Sequence, residues 1–247
     1  FRGDRLIAFG DSGLITSWDL DTGVEKQVLQ HDAGIATVAA VRGISTIVVG
    51  DKKGKVMGWD YFGREAEWDG KHPFFHYQHR VVSSALSQDG KLAVTTSGAN
   101  SAIVWRLSDG EELFHLRGSG KGRYAFFGGN GRVLLTVDKG MAAPWRAVCW
   151  HIPFGSRVYE FGGGTNSYLV DCAASGERVA YALKQRRDTD MLVVEVQEML
   201  TGKSLFSDTV ELTHDRPVKG VLDFSRNGTC LIAAGFDRFI RVWELPE

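Results

Sequence analysis

The chain has 247 residues, of which 43% are hydrophobic and 24% charged, the balance of an ordinary globular domain and one that excludes a disordered polymer. A formal net charge of -1 removes any bulk electrostatic case for nucleic acid or membrane binding. No run approaches the roughly 18 apolar residues of a membrane helix, and thirty glycines against five prolines point to many tight turns.

In chain order, LITSWDL around Trp18 is a short alternating apolar segment, the pattern of a strand. DLDTGVEKQVL after it reads as a turn and a further strand. AGIATVAAV follows, then KVMGWDY around Trp59. Residues 81–98, VVSSALS-QDG-KLAVTTSG, form two apolar runs split by a Gly turn, followed by AIVWRL around Trp105 and RLSDGEELFHL. The same order recurs in RYAFFGG-NG-RVLLTVD (123–138), AVCWHI around Trp150 and HIPFGSRVYEF. It recurs again in SYLVDCA-ASG-ERVAYAL (167–183) and LVVEV (192–196), and last in VKGVLDFS-RNG-TCLIAAG (218–235) with FIRVWEL around Trp243. Asp-Gly and Asn-Gly between alternating runs are strong hairpin signals, because Gly accepts the positive φ that the turn needs.

The tryptophans supply a ruler. Their intervals are 41 (18 to 59), 46 (59 to 105), 45 (105 to 150) and 93 (150 to 243). The last is about twice the others, so a further copy is expected midway. LVVEV lies there, with Val194 in the Trp slot. Each unit is strand, tight turn, strand, loop, Trp strand, turn, strand. Four antiparallel strands at a period near 45 residues are the pattern of a β-propeller blade. The fold class expected is therefore all-β: a single propeller domain over 1–247 with six visible repeats, centred on Trp18, Trp59, Trp105, Trp150, Val194 and Trp243, and no significant helix. Arg2-Gly3-Asp4 sits where the first hairpin turn belongs, and the chain stops after the third strand of its last repeat. Residues before Phe1 are expected to supply missing strands, completing six or seven blades.

The period and the Trp-Asp pairs at Trp18-Asp19 and Trp59-Asp60 resemble the WD-repeat family, with degenerate repeats. The resemblance implies a buried hydrogen-bonded set in each blade: a His before the first strand, a Ser/Thr in the second, an Asp before the third, and the Trp. The last repeat offers His214, Asp237 and Trp243, with Ala233 in the Ser/Thr slot. The third offers His79, Thr95 and Trp105. The second offers His31 and Trp59, with Asp51 displaced by two residues. These residues are expected to form internal structural networks.

Chemistry is sparse. Cys149, Cys172 and Cys230 show no metal or redox spacing and read as reduced thiols. Gly162-Gly163-Gly164 lacks the Lys-Ser/Thr of a phosphate loop. The first strands of the repeats carry mainly small and apolar side chains. No catalytic residue, cofactor or metal is expected, and the chain reads as no enzyme. It reads instead as a protein-interaction scaffold, intracellular (cytoplasmic, or nuclear if eukaryotic), with partners docking on the upper loops or the rim. The alternative is a sensory or ligand-binding propeller joined to a catalytic domain, such as a kinase or NTPase, in a longer chain. Two longer upper loops, 138–147 and 184–191, supply the candidate contact residues Met141, Trp145 and Arg146, and Lys184, Arg186 and Arg187. The favoured structural reading of Trp145 is that it folds back onto its blade. Upper loops also carry Lys52, Lys53 and Arg80 among other cations, tempered by Asp11 and Asp51. Acids gather on the opposite turns, so a mildly basic upper face is expected.

Overall fold

The computed structural model describes residues 5–31, 33–41, 46–60, 74–75, 80–97, 101–117, 124–138, 144–162, 167–185, 191–212, 220–225, 227–236 and 239–246. The chain divides into two compact units, Phe1–Ala125 and Phe126–Glu247.

The first unit holds three sheets. The first runs β1 (Arg5–Phe9), β2 (Leu14–Asp19), β3 (Glu25–Gln30). The second runs β4 (Ile35–Ala39), β5 (Thr46–Asp51), β6 (Lys55–Asp60), β7 (Phe74–Phe75). The third runs β8 (Val81–Leu86), β9 (Leu92–Ser97), β10 (Ser101–Arg106), β11 (Glu112–Arg117). Each strand pairs antiparallel with its chain neighbour, as Arg5↔Asp19 through Phe9↔Ile15 do for β1 and β2. The turns follow the dipeptides: Gly90, at φ 69, closes the β8–β9 hairpin, while the Ser87 hydroxyl accepts from Leu92 N–H at 2.9 Å.

Two apolar layers hold this unit. Ile15, Ile35, Ile47, Val49 and Met57 pack between the first and second sheets. Val48, Val56, Val81, Ala93, Ile103 and Trp105 pack between the second and third. Strand β5 is thus buried on both faces, which explains its unbroken TIVV run. Full burial of each such side chain is worth about 1.5–3 kcal/mol relative to exposure. Close approach is built in at Gly50, where a Cβ would lie 2.6 Å from Val81 Cγ1. The start of β8 therefore abuts the end of β5.

The boundary between the units falls within β12 (Tyr124–Gly128), which opens a fourth sheet with β13 (Val133–Asp138), β14 (Arg146–His151) and β15 (Ser156–Phe161). The fifth sheet has longer strands: β16 (Ser167–Ser175), β17 (Arg178–Gln185), β18 (Met191–Glu198) and β19 (Ser204–Glu211). The sixth runs β20 (Val221–Phe224), β21 (Cys230–Ala234), β22 (Ile240–Glu244). One apolar cluster joins the fifth and sixth sheets, with Leu192, Val194, Val196, Leu222, Phe224 and Leu231 at its centre. Among the described residues there is no α-helix, only single 3-10 turns at Gly129–Gly131 and Ile152–Phe154.

Trp18, Trp59, Trp105, Trp150, Val194 and Trp243 fall in β2, β6, β10, β14, β18 and β22, one per sheet. The fifth position carries a correction of register. Trp105 and Trp243 face the preceding sheet in the layers above. Val194 instead faces the following sheet. The β18 residue in the Trp position is Gln197, since Met199 N–H donates to Glu177 O as Leu107 N–H does to Lys91 O and Leu245 N–H to Thr229 O; two residues before it Glu195 pairs with Tyr181, whose ring packs on Trp145 and Phe161 of the fourth sheet's side. Strands also run further than expected into one loop, β17 reaching Gln185 and β18 beginning at Met191. Arg2-Gly3-Asp4 lies outside the described residues.

Candidate docking surfaces

Many polar groups are consumed inside the sheets. Trp105 Nε1–H donates to Thr95 Oγ1 (2.9 Å), as the resemblance implies, and Trp150 Nε1–H donates to Thr136 Oγ1 (3.0 Å). Both threonines pair opposite the residue two before the Trp, so one register rule places them. Thr136 carries no Trp-Asp motif beside it, and only this register could have found it from the sequence. In the last repeat Ala233 holds the same slot and offers no hydroxyl. Trp243 Nε1–H donates instead to Asp208 Oδ2 of β19, at 2.7 Å. Trp18 Nε1–H donates to Glu25 Oε2 (3.2 Å). His79, His214 and Asp237 lie outside the described residues.

The second repeat forms its polar contact despite the displaced spacing. His31 Nε2 lies 3.1 Å from Asp51 Oδ2. Asp51 is 2% exposed, and its Oδ1 accepts from Lys53 N–H (2.8 Å) and Lys55 N–H (2.7 Å), which shapes the β5–β6 turn. Three segments are knitted together at this edge. Gly10 O accepts from Gly13 N–H and Ile35 N–H (3.2 Å each), Gly13 O from His31 N–H (2.9 Å), and Gly34 O from Lys52 N–H (3.0 Å). The upper edge of the first unit therefore presents fixed turns. Lys53 and Arg80 are exposed there, and the Lys52 ammonium bridges to Asp11. The contact with Lys52 holds the Asp11 carboxyl below its usual range, and Arg80 adds to this.

The opposite, lower edge of this unit has a groove of about 550 Å³ over Leu92, Leu107 and Leu113, rimmed by Lys91 and Arg106. Arg106 is already bridged by Asp109 and Glu111, so its charge is spent locally.

In the second unit the two longer loops place their residues differently from an exposed docking patch. Trp145 is 4% exposed and lies against Phe161 (centroids 6.1 Å) and Tyr181 (5.1 Å). It folds back onto Tyr181, which stands in the slot that Thr95 and Thr136 fill in the third and fourth sheets. Lys184 is 5% exposed, being inside β17 and paired with Tyr168 and Leu192. Arg146 begins β14, is half-buried, and meets Glu160 at 3.4 Å. Met141, Arg186 and Arg187 lie outside the described residues.

No group of three or more His, Cys, Asp or Glu side chains that could hold a metal occurs among the described residues. The three cysteines are free; burial pushes the Cys149 thiol from 9.0 up to about 12, the opposite of an activated nucleophile. On the first strands, Thr37 Oγ1 and Ser84 Oγ are hydrogen-bonded at 2.8 Å, and Asp171 Oδ2 accepts from Leu222 N–H at 2.8 Å. Polar groups here tie sheets together. No described helix is long and apolar enough to cross a membrane.

Comparison with known proteins agrees with this architecture. The family model described as WD domain, G-beta repeat matches residues 207–244. Curated protein sequences give no match. Among solved structures, a chain from a structure titled "Crystal Structure of Mitotic Checkpoint Complex" superposes with a TM-score of 0.72 at 14% identity, covering 98% of this chain and 72% of that one. The chain thus carries a match to the WD domain, G-beta repeat model over residues 207–244 and shares the fold of that solved structure.

Proposed function

We propose that the chain is a non-catalytic scaffold whose protein partners dock on the upper edges of its sheets. Propellers of this family are generally interaction scaffolds. The observation carrying the reading is how polar groups are used. Asp51, His31 and the indoles of Trp105 and Trp150 spend their hydrogen bonds internally, while Lys53 stands exposed on the turn that Asp51 holds and Arg80 stands exposed just before β8. Such an arrangement positions a partner and makes or breaks no bond. Its protein partners would meet Arg146, and on the same loops Met141, Arg186 and Arg187; the buried Trp145 and Lys184 would support those loops from beneath.

Site-specific photo-crosslinkers test this. Placed at Lys53 in the first unit, and at Arg146 and Arg187 in the second, they should capture protein partners from the native source, whereas a crosslinker at Lys203, on the β18–β19 turn of the lower edge, should not. Capture from the lower edge alone, or from no position, would overturn the reading.

A further inference from the structure

We propose that the upper edge of the first unit binds an acidic segment of a protein partner, gripped by Lys53 and Arg80 with Lys52 beside them. This rests on the docking reading and gives its partner a chemistry.

The argument starts from how the cations are held. Lys52 and Lys53 sit on one turn, and the turn is fixed from below by Asp51 through Lys53 N–H and Lys55 N–H. Arg80 is brought to the same place by close packing, since Gly50, two residues before Lys52, abuts Val81, the residue after Arg80. Lys53 and Arg80 therefore stand at one edge, with the Lys52–Asp11 pair beside them.

Next comes what neutralises them. The Asp51 carboxylate is 2% exposed and turned inward to His31 and the turn amides. The Asp11 carboxylate is taken by Lys52. Among the described residues no carboxylate lies within ion-pair distance of Lys53 or Arg80, and both are exposed. The depressed Asp11 titration, to which Arg80 contributes, is the response of a carboxylate to positive potential at this edge. Phe9, 45% exposed and next to Gly10 of the same knot, adds an apolar contact.

The size of the patch selects the ligand. Two uncompensated cations, Lys53 and Arg80, beside the Lys52–Asp11 pair match a short run of carboxylates. A nucleic acid presents a long phosphate array and needs a correspondingly extended basic track.

The test is fluorescence anisotropy with fluorescein-labelled hexaglutamate at low salt. The full chain should bind it, and added salt should weaken the complex. The double variant Lys53→Glu, Arg80→Glu should weaken binding by about tenfold or more. A control of equal charge change, Lys91→Glu with Lys203→Glu, should leave it within about twofold. Circular dichroism should show both variants folded, since all four side chains are exposed. Equal weakening by both variants would overturn the proposal, because the effect would then be bulk charge. Tighter binding of an oligothymidylate than of hexaglutamate would overturn it in favour of nucleic acid. If hexaglutamate fails to bind while the Lys53 crosslinker still captures a protein, the acidic-segment proposal falls and the docking reading stands. If neither occurs, both fall.

Discussion

Removing the Asp51 carboxylate should cost far more than an exposed turn residue ordinarily does. Its two oxygens have separate duties: Oδ1 accepts from Lys53 N–H at 2.8 Å and Lys55 N–H at 2.7 Å, while Oδ2 faces His31 Nε2 at 3.1 Å. Hydrogen bonds to a charged acceptor contribute about 1.5–3 kcal/mol each, and breaking a buried pair costs about 3–5 kcal/mol. Lys53 stands at the surface, so water recovers part of the loss at its amide. Asp51→Ala should therefore destabilise by about 3–5 kcal/mol. Asp51→Asn is the discriminating variant. Its amide oxygen can keep both backbone N–H groups and change only the His31 contact, for a cost of about 1–2 kcal/mol. Urea denaturation gives the two costs, and amide hydrogen exchange locates them. Protection at Lys53 and Lys55 should vanish in Asp51→Ala and persist in Asp51→Asn. Equal losses in the two variants, or a loss below about 1 kcal/mol in the alanine variant, would refute the division of labour between the oxygens.

Thr95→Val leaves the Trp105 indole N–H, in a side chain 1% exposed, without its acceptor, and should cost about 1–3 kcal/mol in urea unfolding, with Thr95→Ser recovering most of it. Thr136→Val should behave alike through Trp150. The Tyr181 hydroxyl is buried with no hydrogen-bond partner among the described residues, so Tyr181→Phe should leave stability unchanged or raise it by up to about 1–3 kcal/mol; a loss would show that the hydroxyl is bonded after all. Burial raises the titration of Cys149 from 9.0 to about 12 and raises Tyr159 and Tyr181 as well. Folding favours the neutral forms, so their contribution is complete below pH 9.0 and is lost as pH climbs toward about 12. The urea midpoint should fall across that window, and Cys149→Ala should flatten part of the fall. Under native conditions iodoacetamide should modify the half-exposed Cys230 well before the buried Cys149 and Cys172.

The fold was legible because its signals are local. A Gly turn between two alternating runs fixes a hairpin within about a dozen residues, and QDG, NG and ASG each did so here. Recurrence then multiplied a weak signal into a strong one. What stayed hidden depends on which way a side chain points. Asp51 stands two residues from its expected spacing, yet reaches His31 because the turn at 51–54 rotates it inward. Trp145 and Lys184 looked like loop residues because their neighbours are polar and because Pro144 and Gln185 break the apolar pattern. Whether an aromatic or a lysine at a strand end turns in or out depends on the adjacent sheet, which lies dozens of residues away in sequence.

The fifth sheet shows how a preference for an apolar residue misplaces a position that the register locates. Dividing the 150-to-243 interval picked Val194, the residue that suits a buried slot by hydrophobicity. The position equivalent to the Trp is Gln197, three residues further on, and because a strand alternates faces an odd shift exchanges the two sides of the sheet. On β18 the residues facing the fourth sheet are Val193, Glu195 and Gln197, and Gln197 Nε2–H donates to Glu195 Oε1 at 2.9 Å. A Gln there cannot supply the apolar volume that an indole supplies in the third and sixth sheets. That volume comes from the neighbouring strand instead. Tyr181, opposite Glu195, is fully buried and fits between Trp145 and Phe161. Tyr159, stacked on Phe161, donates its hydroxyl to Met199 O and fastens β15 to the turn after β18. The interface thus keeps an aromatic centre while giving up the Trp that marks the repeat. This exchange also explains Trp145: its ring, expected at a docking loop, is the one that closes the gap.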